Sequence, residues 1–298
     1  MLIKALFIYN HNPIAVHPRQ GLLKQALDTE DLFIVGYDVY MTDSMRYADI
    51  ILPACSSMEY GDLYKAYGHT ALQRTKAVIN PVGDSRANTR VFRELAEVFG
   101  FADPEFSETD EQMMRAAVAN LPDEGELIDN AQISNIKNNV AFRDSVPNSP
   151  INKALLYNPA EHERAGLGLP LYKELERDYE FILVSPSSDK RINSTLGGTQ
   201  ANSEPYRVEM NPSDAQAKGL GAGQKVVLKN QFAEVVLELS LNDKVKPGVL
   251  YVPKGAWMSD SESNLTINAL IPSHKADMAD GACYNDTRVD IFTACSEI

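Results

Sequence analysis

The sequence predicts an α/β protein in which a parallel sheet crossed by helices is followed by a C-terminal β-barrel. Three observations predict it. The first hundred residues alternate apolar runs with helical periodicity, the residues after Tyr179 change to short strands broken by Gly and Pro, and the stretch between them sustains neither pattern. At 298 residues, with 44% hydrophobic and 23% charged side chains, the chain is long enough to bury two cores. The expected division is a sheet domain over 1–100, a helical and loop connector over 101–178, and a barrel domain over 179–298.

The elements follow in order. Ala5 to Tyr9 is a short apolar run, Gln20 to Leu27 places Leu22, Leu23, Ala26 and Leu27 on one helical face, and Leu32 to Tyr37 is a second run. Ile50-Ile51-Leu52 makes a third strand that stops at Pro53. Strands separated by helices of this length give parallel pairing with right-handed crossovers, a half-Rossmann pattern. Asn88 is placed to cap a helix carrying Val91, Phe92, Leu95, Ala96 and Phe99, with Gly100 as its left-handed stop. In the connector, Glu111 to Asn120 is amphipathic, a second helical stretch is expected near Ile128 to Ile136, and turn-forming Asn and Pro fill the rest.

Beyond Tyr179 the expected strands are Phe181 to Val184, Lys225 to Lys229, Ala233 to Leu239, Val249 to Val252 and Val289 to Phe292. One compact helix lies among them, bounded by Asn211 as cap, Pro212 in the first turn and Gly219 at its end. Many short strands around a single small helix indicate a closed or nearly closed barrel.

Composition narrows the function classes. No run of about 18 uncharged apolar residues appears, so membrane insertion is not expected. Met1 to Asn10 reads as a strand rather than an export signal, which makes the cytoplasm the expected location. Cys55, Cys283 and Cys295 contain no CxxC pair, so no disulfide framework and no zinc or iron-sulfur site is expected. A formal charge of −13 without a basic stripe argues against nucleic acid.

The chemistry is expected in loops. Asn10-His11-Asn12-Pro13 follows the first strand and precedes a helix, where an open parallel sheet binds ligands. Neither GxGxxG nor GxxxxGK[ST] is present, which removes the main support for an ordinary dinucleotide or P-loop reading. Asp38 ends the second strand with a carboxylate able to accept two hydrogen bonds from a guanine edge or a ribose. Capping its own turn toward Tyr40 to Asp43 is an equally open role for it.

A resemblance enters at these residues. Asn10 to Pro13, then Tyr37-Asp38-Val39-Tyr40-Met41-Thr42-Asp43, then Tyr47-Ala48-Asp49-Ile50-Ile51-Leu52-Pro53-Ala54, with Glu59 and Gly68 after them, resemble the third domain of the dimethyl sulfoxide reductase family of molybdopterin enzymes. Ser185, Arg191-Ile192-Asn193-Ser194-Thr195, Asn211 to Gly219, Gly223, Pro247-Gly248-Val249, Trp257, Asn268-Ala269-Leu270, Asp277 and Tyr284-Asn285-Asp286-Thr287 are similar to its fourth, a dinucleotide-binding double-psi barrel. The connector lies outside the resemblance.

The resemblance implies a molybdopterin guanine dinucleotide carrying molybdenum or tungsten. Asn10, Asn12, Pro13 and Asp38 would hold its nucleotide, with Thr42 supporting that pocket. Ser185, Arg191, Asn193 and Ser194 would line pterin and diphosphate, and Asn268, Asp277 and Tyr284 would reach polar edges of the pterin. Each has a plainer reading beside it: turn residues for Asn193 and Asn268, a polar loop for Ser185, a cap for Asp277, packing for Tyr284, a surface ion pair for Arg191. His11 stands in the nucleotide loop and His69 near the implied interior, while His17, His162 and His274 show no ligand spacing. Cys55 reads as a small buried hydrophobe.

These residues contain no catalytic or metal-ligating set, so the resemblance implies an assembly. Its iron-sulfur cluster and metal ligand would come from an N-terminal half or a separate subunit, and the present chain would bind the cofactor without turnover of its own. A stand-alone module that stores or delivers the pterin dinucleotide, or a separately encoded half of a split enzyme, is the alternative. An unrelated nucleotide-binding protein fused to a barrel is a weaker one.

Overall fold

The computed structural model describes residues 3–65, 67, 71–120, 132–134, 140, 142–144, 151, 153–174, 178–188, 191–195, 197, 206–278 and 280–294. Gly68, His69, Cys295 and most of the helical stretch expected near Ile128 to Ile136 lie outside them. The chain forms two compact units, Met1–Gly36 with Met41–Ile50 and Leu156–Ile298, and Tyr37–Tyr40 with Ile51–Leu155.

Strands β1 (Ala5–Tyr9), β2 (Phe33–Asp38) and β3 (Ile50–Pro53) form a parallel sheet in the order β1-β2-β3. Two helices, α1 (Pro13–Val16) and α2 (Gln20–Leu27), connect β1 to β2. Ile8, Ile14, Leu27, Ile34 and Met45 pack with Met258 into one apolar cluster. Gly36 faces that cluster, where an added Cβ would meet Met45 Sδ at 2.5 Å, so a side chain there would displace the methionine. In the same unit Asp49 fixes the sheet, its Oδ2 accepting the Ile34 N–H at 2.7 Å.

The second unit holds a small antiparallel sheet in the order β4-β5-β6, of β4 (Leu63–Lys65), β5 (Ala71–Arg74) and β6 (Gln132–Ser134). These strands are too short, and too interrupted by polar residues, to announce themselves by alternation. Helix α3 (Asn88–Phe99) starts one residue earlier than expected: Ala87 is its cap and Asn88 its first residue, while Gly100 does close it at φ 75°. Helix α4 (Asp110–Val118) opens with a reciprocal pair of bonds between Thr109 and Gln112, and buries Met114 and Val118 against Leu63 and Leu72.

In the first unit, six strands close a barrel: β7 (Phe181–Val184), β8 (Arg207–Met210), β9 (Lys225–Lys229), β10 (Glu234–Leu241), β11 (Val249–Tyr251) and β12 (Thr287–Thr293), in the order β10-β8-β11-β7-β12-β9. Two pairs, β8 with β10 and β7 with β11, are parallel; the other four are antiparallel. Every second residue points inward, so Val226, Leu228, Val235, Leu237, Leu239, Leu250, Val289 and Ile291 are buried between exposed or half-buried neighbours. Strand β8 escapes the sequence because its alternation lasts only four residues and offers just two inward side chains, Val208 and Met210. Closure leaves no unpaired edge. The helix Pro212–Lys218 is bounded as expected, with Asn211 Oδ1 accepting the Ser213 N–H at 2.9 Å and Gly219 at φ 65°. No described helix is long and apolar enough to cross a membrane.

Candidate functional site

The loop after β1 builds one side of the site. Asn12 stands at the N-terminus of α1, but its side chain does not cap the helix. Ser44 does so instead: its hydroxyl accepts the Ile14 N–H at 3.0 Å and donates to Asn12 Oδ1 at 2.7 Å. Ser44 N–H donates to the same oxygen at 3.3 Å. Pro13 occupies the first helical turn, where its missing N–H leaves no gap in the bonding. Thr42 is buried and its hydroxyl accepts the Met45 N–H, which holds the turn that presents Ser44. The loop is thus locked from behind by Thr42 and Ser44.

The barrel loops grip this segment through a row of specific bonds. Gln20, fully buried, donates to Ile14 O and accepts the Thr266 N–H at 2.7 Å. Asn268 Nδ2 donates to Ala15 O at 2.7 Å, and the Tyr284 hydroxyl donates to Val16 O at 2.6 Å. Asp43 Oδ2 accepts the Met258 N–H at 2.8 Å. Burial pushes the Asp43 carboxyl above its ordinary value against the pull of that N–H and of Arg46, and burial likewise raises the Tyr284 phenol. The last carbonyls of α1 therefore face side chains of the barrel rather than water.

Asn193, Asn268 and Tyr284 line a cleft of about 80 Å³ beside Ala15 and Lys254. That volume admits roughly two or three water-sized groups, so it suits one polar edge of a larger heterocycle. Its wall is made by a close backbone approach: Gly255 sits at φ 100°, and a Cβ there would lie 1.8 Å from Asn193 O, so only glycine fits. Asn193 itself takes φ 51° in its turn. Trp257 Nε1 donates to Ser194 O at 2.8 Å and pins the same turn to the barrel. Arg191, which also bonds Gly255 O, pairs with Asp260 at 3.3 Å.

Three buried polar atoms at sites of expected cofactor contact have no partner among the described residues: Asn12 Nδ2, Ser185 Oγ and Asn268 Oδ1. Each such atom costs about 1–3 kcal/mol in a chain that leaves it unmade. Ser185 is otherwise held, its N–H donating to Asn285 Oδ1 at 3.2 Å.

The remaining expected residues lie elsewhere. Asn10 is exposed at φ 50°. Asp38 belongs to the second unit and its Oδ1 accepts the Tyr40 N–H at 3.3 Å, the turn arrangement that its sequence position allowed. Asp277 is exposed and ion-paired with Lys173. His11 and His17 meet through their Nε2 atoms at 2.9 Å, and burial, then His11, lowers the His17 pKa. Gln20, Asp43, Ser44 and Lys254 join the site only in the folded chain. Asp43 closes the Tyr37 to Asp43 motif, and Lys254 lies beside a glycine after a strand; Gln20 and Ser44 carry no sequence signal, because their partners are distant in the chain.

Comparison with known proteins now bears on this arrangement. Residues 1–98 match the family described as "Molybdopterin oxidoreductase", and residues 181–288 match "Molydopterin dinucleotide binding domain". The chain is 33% identical over 302 residues to the "Probable oxidoreductase YoaE" of Bacillus subtilis, covering 97% of this chain and 44% of that protein. It is 27% identical to the dimethyl sulfoxide reductase DmsA of Escherichia coli over 83% of the chain and 36% of the relative. Acetylene hydratase from Pelobacter acetylenicus shares the fold at a TM-score of 0.80 and 20% identity, over 98% of this chain and 44% of that one. The chain thus spans less than half the length of these relatives. The chain thus carries a molybdopterin oxidoreductase domain and a molydopterin dinucleotide-binding domain, with homologues in the dimethyl sulfoxide and trimethylamine N-oxide reductase family.

Proposed function

We propose that the chain binds molybdopterin guanine dinucleotide, carrying molybdenum or tungsten, as the cofactor-holding portion of an oxidoreductase. The observation that carries this reading is the set of orphaned buried atoms, Asn12 Nδ2, Ser185 Oγ and Asn268 Oδ1. One donor, one hydroxyl and one acceptor suit a heterocycle with polar edges better than an apolar ligand or an anion alone. When bound, the cofactor supplies a metal that cycles between oxidation states.

The chain's own residues bind and orient. Asn268 would present its free oxygen to a ring N–H while its amide stays on Ala15 O, and Tyr284, committed to Val16 O, would hold the adjacent wall. Asn193 and Ser194 would offer their turn, and Arg191 its guanidinium from the Asp260 pair. Asn10, Asn12 and Pro13, supported by Thr42, would face the nucleotide, with Asp38 reading guanine and Asp277 reaching the pterin once released from Lys173. Redox turnover belongs to the whole assembly, completed by a further part of the protein or by a separate subunit.

The finer fold assignments form part of the same proposal. Two parallel strand pairs set in an otherwise antiparallel barrel support a double-psi connection, and strand-helix-strand order over β1 to β3 supports a half-Rossmann sheet. Boundaries at 100 and 179 are supported by domain matches that end at 98 and begin at 181.

Retention of the pterin through gel filtration, followed by its fluorescence after oxidation, tests the reading. The chain is expected to retain the guanine dinucleotide form and to lose the form lacking the nucleotide, and Asp38→Ala should abolish that preference. Equal loss of both forms from the unaltered chain would overturn it.

A further inference from the structure

His274, Cys283 and Asp286 lie in no metal-ligand spacing, yet the fold gathers them. Lys275 and Ala282 form an antiparallel bridge, and Ala276 N–H donates to Gly281 O at 2.7 Å. This short hairpin sets residues 274 and 283 side by side. The following turn, with Asp286 N–H bonded to Cys283 O at 3.3 Å, folds the carboxylate back toward both. One ligand atom from each residue lies within 4.8 Å of the others, and His274 Nε2 is 3.5 Å from Asp286 Oδ2.

We propose that His274, Cys283 and Asp286 bind a divalent transition metal of the zinc class, with a fourth position open to solvent. Metal bonds of about 2.0–2.3 Å in a tetrahedral site put neighbouring ligand atoms roughly 3.3–3.8 Å apart. Closing from the observed spread needs side-chain rotations of partly exposed groups, with no movement of the barrel. The ligand types, one imidazole, one thiol and one carboxylate, select a borderline-soft ion over calcium or magnesium.

The surroundings favour a cation. His274 and Asp286 also line a cleft of about 330 Å³ that reaches solvent, which gives a hydrated ion a path in and leaves room for its water. Without a cation the thiol donates to Gly281 O, with Sγ 3.8 Å from that oxygen. On binding, the S–H bond breaks, a sulfur–metal bond forms and one proton passes to solvent. An exposed His–Asp ion pair alone would be worth little and would leave the thiol without a role. The site brackets Tyr284, so occupancy would also tie down the loop that bonds Val16 O.

Titration of the chelator-treated chain with Co²⁺, then Zn²⁺, tests this. One equivalent of Co²⁺ is expected to bind with a sulfur-to-cobalt charge-transfer band, to release one proton per ion, and to be displaced by Zn²⁺. Cys283→Ser should abolish the band, while His274→Ala and Asp286→Asn should each weaken binding by more than about tenfold, since even outer-shell partners of a metal carry that much. Cys55→Ser should change nothing. Absence of binding, a band that survives Cys283→Ser, or binding lost in His11→Ala but kept in His274→Ala would overturn the assignment.

Discussion

Among the described residues, the barrel core holds eighteen buried apolar side chains, twelve of them on the strands of the closed ring. The segment laid against its loops is built differently: among the described residues it supplies five buried apolar side chains to a cluster completed by Met258, and beside them it buries Asn12, Gln20, Thr42, Asp43 and Ser44. Each inward Val or Leu of the barrel contributes about 1.5–3 kcal/mol of burial, without directional demand. The polar residues contribute little net stability but fix positions, because every bond they leave unmade is expensive. The difference assigns stability to one region and preorganisation to the other.

The largest effect expected is in the ring. Leu250 is fully buried opposite both Leu183 and Met210, and Leu250→Ala should lower unfolding free energy by about 2–5 kcal/mol in urea titration. A loss comparable to that of a surface substitution would deny the barrel its role as the stable element. Asn268→Ala comes next: it strands Ala15 O and should cost about 1–3 kcal/mol, with a matching loss of pterin retention.

Ser185→Ala sharpens the contrast because its two readouts should move in opposite directions. Removing an orphaned buried hydroxyl should raise the stability of the ligand-free chain by about 1 kcal/mol, while cofactor affinity falls about tenfold. If stability and affinity fall together, the orphan is structural and has no ligand to meet.

Asp43 gives the smallest effect and a pH signature. Its carboxyl is raised by burial, so the native state holds the proton more tightly than the unfolded chain does. Its contribution to stability is then fullest below the ordinary carboxylate value and fades as pH rises through the folded-state value. Asp43→Asn, which keeps an oxygen for Met258 N–H, should match the unaltered chain at low pH and be slightly more stable at neutral pH. Urea midpoints compared across that range would show a constant offset if the carboxyl does not titrate differently in the two states.

The local sequence settles those elements whose code is periodic or positional. Short apolar runs, Val226-Val227-Leu228 and Val235-Val236-Leu237, bounded by charged residues write β9 and β10, and Asn211-Pro212 with Gly219 writes a helix from cap to stop. The ordered motifs around Asn12, Asn193 and Asn268 likewise mark the loops of the candidate site and lie within the two matched domains. Tertiary structure alone decides the partners. Ser44 rather than Asn12 caps α1, Gln20 reaches Thr266, and His274 comes beside Cys283 and Asp286. Helices and strands are selected by neighbours a few residues away, whereas hydrogen bonds across 30 to 253 residues depend on how finished elements pack, which no local pattern encodes.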